Sequence, residues 1–212
     1  MVRPRKFDRD TALQRAMRVF WQKGYAASST DDLLESMGIG RQSLYNAFGD
    51  KRTLYLESLR TYQEATLEGH LSRLTEPSSA LEGIRALLSG IAVADDAERA
   101  LGCFGVGAVE EFGATDDEVR ALAAEVDRRL AARIADRVEA GKAAGELDRS
   151  MDTADAVGFV QLTMTGLQVA ARGGSDVVSM HHAADFAVSR LRAPADPSAG
   201  VVSNLSAAAR RA

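Results

Sequence analysis

Residues 41–46 read Arg-Gln-Ser-Leu-Tyr-Asn, a run of hydrogen-bonding side chains with no carboxylate among them. These are the types that read nucleic-acid base edges: arginine can bridge guanine, and glutamine or asparagine can bridge adenine. Projected at about 100° per residue, Leu44, Ala47 and Phe48 share one side of a helix, Gln42, Tyr45 and Asn46 the other, and Arg41 and Ser43 the flanks. An ordinary solvated face could look the same over so short a stretch, so the elements around it must decide.

Gly38-Ile39-Gly40 precedes that helix and allows a sharp reversal. Before the turn, Ser29-Thr30-Asp31-Asp32 opens another short helix, with Ser29 and Asp32 spaced as a capping box and Leu33, Leu34 and Met37 facing inward. Two short helices joined by a glycine turn make a helix-turn-helix. A helix over 8–23 comes first, capped by Asp8 or Asp10, striped with Leu13, Ala16, Met17 and Phe20, and stopped at Gly24. Asp50 caps the helix after, running to about Leu74, and Lys51 and Arg52 sit in its first turn against the helix dipole, where a phosphate would suit them. Lys51, Ser29, Thr30 and Tyr45 are expected on phosphates and Arg41, Gln42 and Asn46 on bases. Arg3, Arg5 and Lys6 form a basic arm or a frayed end.

Helical periodicity resumes at 80–94, 103–112, 116–143, 152–172 and 175–191, and strand alternation persists nowhere. The chain therefore reads as all-α with about nine helices. The 152–172 helix is apolar nearly all round, with Gly158 and Gly166 allowing close approach, and the next helix carries a stripe. Together they are material for an intersubunit four-helix bundle and a homodimer, which a charge at Leu167 should weaken unless that side chain faces its own core. Residues 193–212 are Ala/Pro/Ser-rich and expected to form a disordered tail.

Net charge is −4, but residues 1–60 carry eleven Lys/Arg and seven Asp/Glu, against fifteen and twenty-three in the remainder. A basic N-terminal unit on an acidic body provides the local field that phosphates require. No leader-like apolar core stands at the start, and no stretch is long and apolar enough to span a bilayer. Cys103, the single cysteine, excludes an intramolecular disulfide and fits a reduced, cytoplasmic protein. At a helix start it could be a redox or electrophile sensor, or simply a small packing residue. His181, His182 and Asp185 lack a further ligand cluster, so no metal is expected. Glu110 and Glu111 point about 100° apart, no nucleophile elbow or phosphate loop is present, and neither an enzyme nor a cofactor is expected.

From Ala12 to Leu54, the runs ALQRAMRVFWQKGY and SSTDDLLESMGIGRQSLYNAFGDKRTL resemble the DNA-binding domain of the TetR family of bacterial repressors. The spacing of Phe20, Gly24, Leu33, Gly38, Ile39, Leu44, Tyr45, Phe48 and Lys51 carries the resemblance over about a fifth of the chain. It implies a DNA-binding domain over 1–52, a helical ligand-binding and dimerisation domain over 53–192, and a homodimer formed by the last two long helices. It places Arg41, Gln42, Ser43, Tyr45 and Asn46 on a recognition helix, Lys51 on phosphate, and Ser29 and Thr30 at the phosphate-facing start of the second helix. Asp31 stands where some members carry a basic residue, so no base contact is carried to it, and Gly49-Asp50 replaces a more usual basic or polar pair. By helix position, Tyr62, Cys103, Phe104, Phe112, Phe159, Met164 and Gln168 would line a pocket for a modest, mostly apolar effector. The expected function is a repressor released from a palindromic double-stranded DNA operator by that molecule, with a ligand-free constitutive DNA binder or a Cys103 thiol sensor as alternatives.

Overall fold

Side-chain caps decide where most of the helices begin. Asp8, Ser29, Asp50, Ser79, Asp95, Asp116, Asp152 and Asp176 each accept a hydrogen bond from a backbone N–H of the first turn they precede. The computed structural model describes residues 7–92, 95–113 and 115–194. Among the described residues ten helices follow in order: α1 Arg9–Ala27, α2 Thr30–Met37, α3 Arg41–Phe48, α4 Lys51–Thr75, α5 Ala80–Ser89, α6 Asp96–Leu101, α7 Phe104–Phe112, α8 Asp117–Ala144, α9 Thr153–Arg172 and α10 Val177–Leu191. The fold is all-α. The element beyond the expected nine is α6, a charged six-residue helix with too few apolar positions to show periodicity. The basic arm at Arg3, Arg5 and Lys6 and nearly all of the expected tail lie outside the described residues.

Three glycines of the N-terminal part, Gly24, Gly38 and Gly49, have a positive φ. Gly24 has φ +77°, which ends the regular part of α1 and leaves a last turn over Tyr25–Ala27. Gly38 closes α2 in the left-handed conformation at φ +68°, whereas Gly40 has an ordinary φ of −82°. The reversal between α2 and α3 therefore needs only the first of the two glycines.

Two apolar clusters form the core. One joins α4's far half to α5, α8, α9 and α10 through Leu67, Leu74, Ile84, Leu87, Ile134, Val160 and Val188. The other holds α1 to α3 through Phe20, Leu33, Leu44 and Phe48, and also takes in Leu54, Tyr55 and Leu59 of α4, Phe104 and Ala108 of α7, and Val119 of α8. The division expected after residue 52 is thus crossed by shared packing, because α4 is one continuous helix and α7 inserts aromatic and small side chains beneath α1.

Candidate functional site

Arg9 of α1 fixes the C-terminal end of α3. Its guanidinium donates to the Ala47 carbonyl at 3.2 and 3.3 Å, pairs with Glu57 of α4 at 2.7 Å, and lies 4.5 Å from the Phe48 ring centre. Leu44 and Phe48 are buried beneath, so α3 presents Arg41, Gln42, Tyr45 and Asn46 to solvent, with Ser43 half-buried on the flank. Gln42 Nε2 donates to Asn46 Oδ1 at 3.0 Å along the helix, and Arg41 pairs with Asp31 of α2 at 2.9 Å. No side chain caps α3, so its first amides keep the bonding capacity that a phosphate oxygen can use.

Ser29 is exposed at the start of α2 and closes the expected capping box with Asp32. Lys23 donates to Asp32 at 2.8 Å, and that bond, with those from Ser29, holds the Asp32 carboxyl down at about 2. Thr30 follows, half-buried. The Lys51 ammonium sits 4.3 Å from the centre of the Tyr25 ring, a cation–π seat beside α3. Its neighbour Arg52 is directed elsewhere. It pairs with Asp116 at 2.7 Å and Glu118 at 3.2 Å and lies over the Phe112 ring, so carboxylates of the body, not a phosphate, account for its place in the first turn of α4.

Among the described residues, three side chains make polar contacts that tie this unit to the body. Arg52, paired with Asp116 and Glu118, is one. Trp21 Nε1 donates to the Gly102 carbonyl at 3.1 Å. Glu111 of α7 accepts from the backbone N–H groups of Tyr25 and Ala26, both at 2.7 Å, and so caps the turn that Gly24 creates. Aromatic rings run alongside: Tyr62 touches Phe104 at 5.6 Å between centres, Phe104 touches Tyr55 at 5.6 Å, and Tyr55 touches Tyr25 at 5.1 Å. Tyr25 carries Lys51, so ring contacts lead from the body to the expected phosphate contact.

The body end of that chain is a cavity of about 490 Å³ between α4, α7, α8 and α9. Tyr62, Cys103, Met164 and Gln168 line it. Phe104, Phe112 and Phe159 do not. Phe104 is buried in the Tyr55–Tyr62 contact, Phe112 packs on Tyr25 and Tyr55, and Phe159 is 39% exposed on the outer face of α9. Helical periodicity marked these phenylalanines as apolar without saying which neighbour each would meet. Cys103 occupies the N-cap position of α7 with no cap bond from its side chain. Its thiol adjoins the Tyr62 hydroxyl, and burial above all raises the Tyr62 pKa.

Sequence reasoning missed Gln63 and His70, both on the cavity wall. The signal was present: Leu59, Gln63, Leu67, His70 and Leu74 make one buried stripe of α4 in which two positions are polar. It also missed Glu111, whose partners are 85 and 86 residues away in sequence. Glu110 lies 3.7 Å from Arg172, so the adjacent carboxylates serve separate contacts. Asp185 pairs with Arg85, while His181 and His182 are exposed. Among the described residues no group of three or more His, Cys, Asp or Glu side chains could hold a metal, and no helix is long and apolar enough to cross a membrane.

The chain matches known proteins over both parts. Residues 12–57 match the bacterial regulatory proteins of the tetR family, and residues 80–187 match the tetracyclin repressor-like C-terminal domain. It is 28% identical over 183 residues to the HTH-type transcriptional repressor ComR of Escherichia coli (strain K12), covering 82% of this chain and 84% of that protein. It is 40% identical over 105 residues to the HTH-type transcriptional regulator YezE of Bacillus subtilis (strain 168), a match spanning 49% of this chain and 54% of YezE. Among solved structures, a cysteine mutant of the TetR family transcriptional regulator CifR, complexed with double-strand operator DNA, is 30% identical with a TM-score of 0.75, covering 89% of this chain and 99% of that one. The reduced form of E. coli NemR shares the fold at 17% identity and a TM-score of 0.75, over 89% of this chain and 99% of that one. With a helix-turn-helix at one end and the family's C-terminal domain over half its length, the chain belongs to the tetR family of bacterial transcriptional regulators.

Proposed function

We propose that the protein is a cytoplasmic, homodimeric repressor that binds a palindromic double-stranded DNA operator through α3 and leaves it when a small, mostly apolar molecule enters the 490 Å³ cavity. The observation that carries this reading is the cavity's wall: α4 and α7 both line it, and both also pack in the apolar cluster that holds α1 to α3. An occupant that displaces either helix acts on Glu111, Arg52 and the aromatic contacts at once. α4 spans 25 residues, about 37 Å at 1.5 Å per residue, so a small tilt at its far end moves the N-terminal unit. In a dimer, tilts of the two copies change the separation of the two α3 helices, and a fixed operator spacing is then missed.

Linkage makes this testable. If the molecule weakens operator binding, operator must weaken the molecule's binding by the same factor. Binding of a small molecule found by thermal-shift screening is measured with and without operator DNA. A 5- to 150-fold weakening by DNA is expected, corresponding to about 1–3 kcal/mol of coupling. Equal affinity in the two conditions sinks the release mechanism.

A second reading is favoured by the position of Cys103, which lies in the wall of the large cavity and of a smaller one beside it, at the head of α7. CifR has been solved as cysteine mutants bound to operator DNA. Here thiol modification would displace α7 in place of a reversible occupant. The same titration on Cys103→Ser separates the two, since a reversible effector still acts on that variant and a thiol reagent does not.

A further inference from the structure

Two buried polar side-chain atoms of the cavity-lining residues have no hydrogen-bond partner among the described residues. Gln63 is 8% exposed and its Oε1 accepts nothing, and His70 is 6% exposed and its Nε2 is unpaired. Burying such groups unsatisfied costs stability, so an occupant able to bond them gains where the empty site loses.

The roles of the two atoms can be assigned. His70 Nδ1 lies 3.3 Å from Arg73 Nη1, and a guanidinium only donates, so Nδ1 accepts. Burial, and secondarily Arg73, lower the His70 pKa to about 4, which keeps the ring neutral and its single hydrogen on Nε2. His70 stands in the wall shared by both cavities and Arg73 only in that of the smaller, so Nε2 is the ring nitrogen left without a partner. Among the hydrogen-bonding side chains that line the larger cavity, which include Tyr62, Thr66, Gln161, Thr165 and Gln168, His70 supplies an unpaired donor and Gln63 an unpaired acceptor. Seven residues separate them on one face of α4, about 10 Å along the axis.

Charge narrows the class further. Among the described residues no lysine or arginine lines the larger cavity, while Glu110 and Asp127, both exposed, are part of its lining. An anion would meet those carboxylates on entry and find no cation inside. Leu67, Val126, Leu130 and Met164 supply apolar walls between the two polar points.

Resting on the cavity reading above, we infer that the effector is an elongated, mostly apolar molecule without negative charge that presents a hydrogen-bond acceptor to His70 Nε2 and a donor to Gln63 Oε1, two turns of α4 away.

A matched set of rigid probes tests this on the full-length protein by calorimetry. One is biphenyl with a para hydroxyl on one ring and a para acetyl group on the other. The second replaces the acetyl group by carboxylate, and the third is unsubstituted biphenyl. The hydroxyl–acetyl probe should bind at least about tenfold tighter than either of the others, a difference near 1.4 kcal/mol. Its advantage over biphenyl should shrink in His70→Leu and in Gln63→Leu, each checked for unchanged helicity. The ranking of the probes on the unaltered protein stands even if one variant fails to fold. Equal binding of the three probes, tighter binding of the carboxylate, or an advantage unchanged by both substitutions overturns the hydrogen-bonding pair and leaves the cavity reading in place. Binding by none of the three overturns both.

Discussion

Arg41 has two candidate partners, and only one belongs to the protein. Its pair with Asp31 is exposed on both sides, at 57% and 83%, so it contributes at most about 1 kcal/mol and releases easily when a base edge is offered. Asp31 then stands beside DNA as an uncompensated carboxylate. Asp31→Asn should tighten operator binding several-fold and do so most at low salt, as measured by fluorescence anisotropy across a salt series. An unchanged or weaker affinity at every salt concentration would mean that Asp31 pre-orients Arg41 instead of competing for it. In the same assay Lys51→Ala should weaken all sequences about equally and lower the salt slope by about one, because a phosphate contact carries no sequence information. Gln42→Ala should change base preference, since rearrangement of its exposed hydrogen bond to Asn46 frees both carboxamides for base edges. Reversed outcomes for Lys51 and Gln42 would exchange their roles.

At the scale of elements, α7 joins the cavity to the N-terminal unit. Gly105, Val106, Val109 and Glu110 face the cavity, while Phe104 and Ala108 belong to the core beneath α1 and Glu111 caps the turn after Gly24. Glu111→Ala removes the cap and leaves the cavity wall intact. Effector affinity should then stay within about twofold, while the weakening of effector by operator should fall toward unity. A variant retaining full reciprocal coupling would show that α4 carries the signal without α7. This role was beyond the sequence, because Glu111 follows Glu110 in a run that reads equally well as a solvated face. By contrast, α2 and α3 were legible almost residue by residue. The capping box of α2, the glycine turn and the apolar positions of both helices are all local, within a few residues of each other, so spacing alone specifies them. The cavity lies between these extremes. Tyr62, Cys103, Met164 and Gln168 were foreseen from helix position, but Phe104, Phe112 and Phe159 were not separable from them, because which apolar face meets a void depends on how α4, α7 and α9 cross.

For the molecule as a whole, the outer face of α9 and α10 is the part a single chain leaves unfinished. Phe159, Leu162 and Val169 on α9, with Val178 and Phe186 on α10, are 39–75% exposed. Gly158 and Gly166 have open space where a side chain would be, so another helix can approach that surface closely. Leu167, at 6% exposure, belongs to the chain's own core, and a charge there would test folding and not pairing. The residues to change are therefore Leu162, at 75%, and Phe186, at 67%. A two-fold axis through this face would make each residue meet its own counterpart's neighbourhood, so one charge per chain places two like charges in the interface. Leu162→Glu combined with Phe186→Glu should leave helicity unchanged and shift the mass measured by analytical ultracentrifugation from dimer toward monomer at micromolar concentration. Operator affinity should fall with it, because a palindrome rewards two α3 helices only when they are held about one helical turn, roughly 34–36 Å, apart. A dimer that survives both charges would place the two-fold axis on another face, and the splaying mechanism would then need a different lever arm.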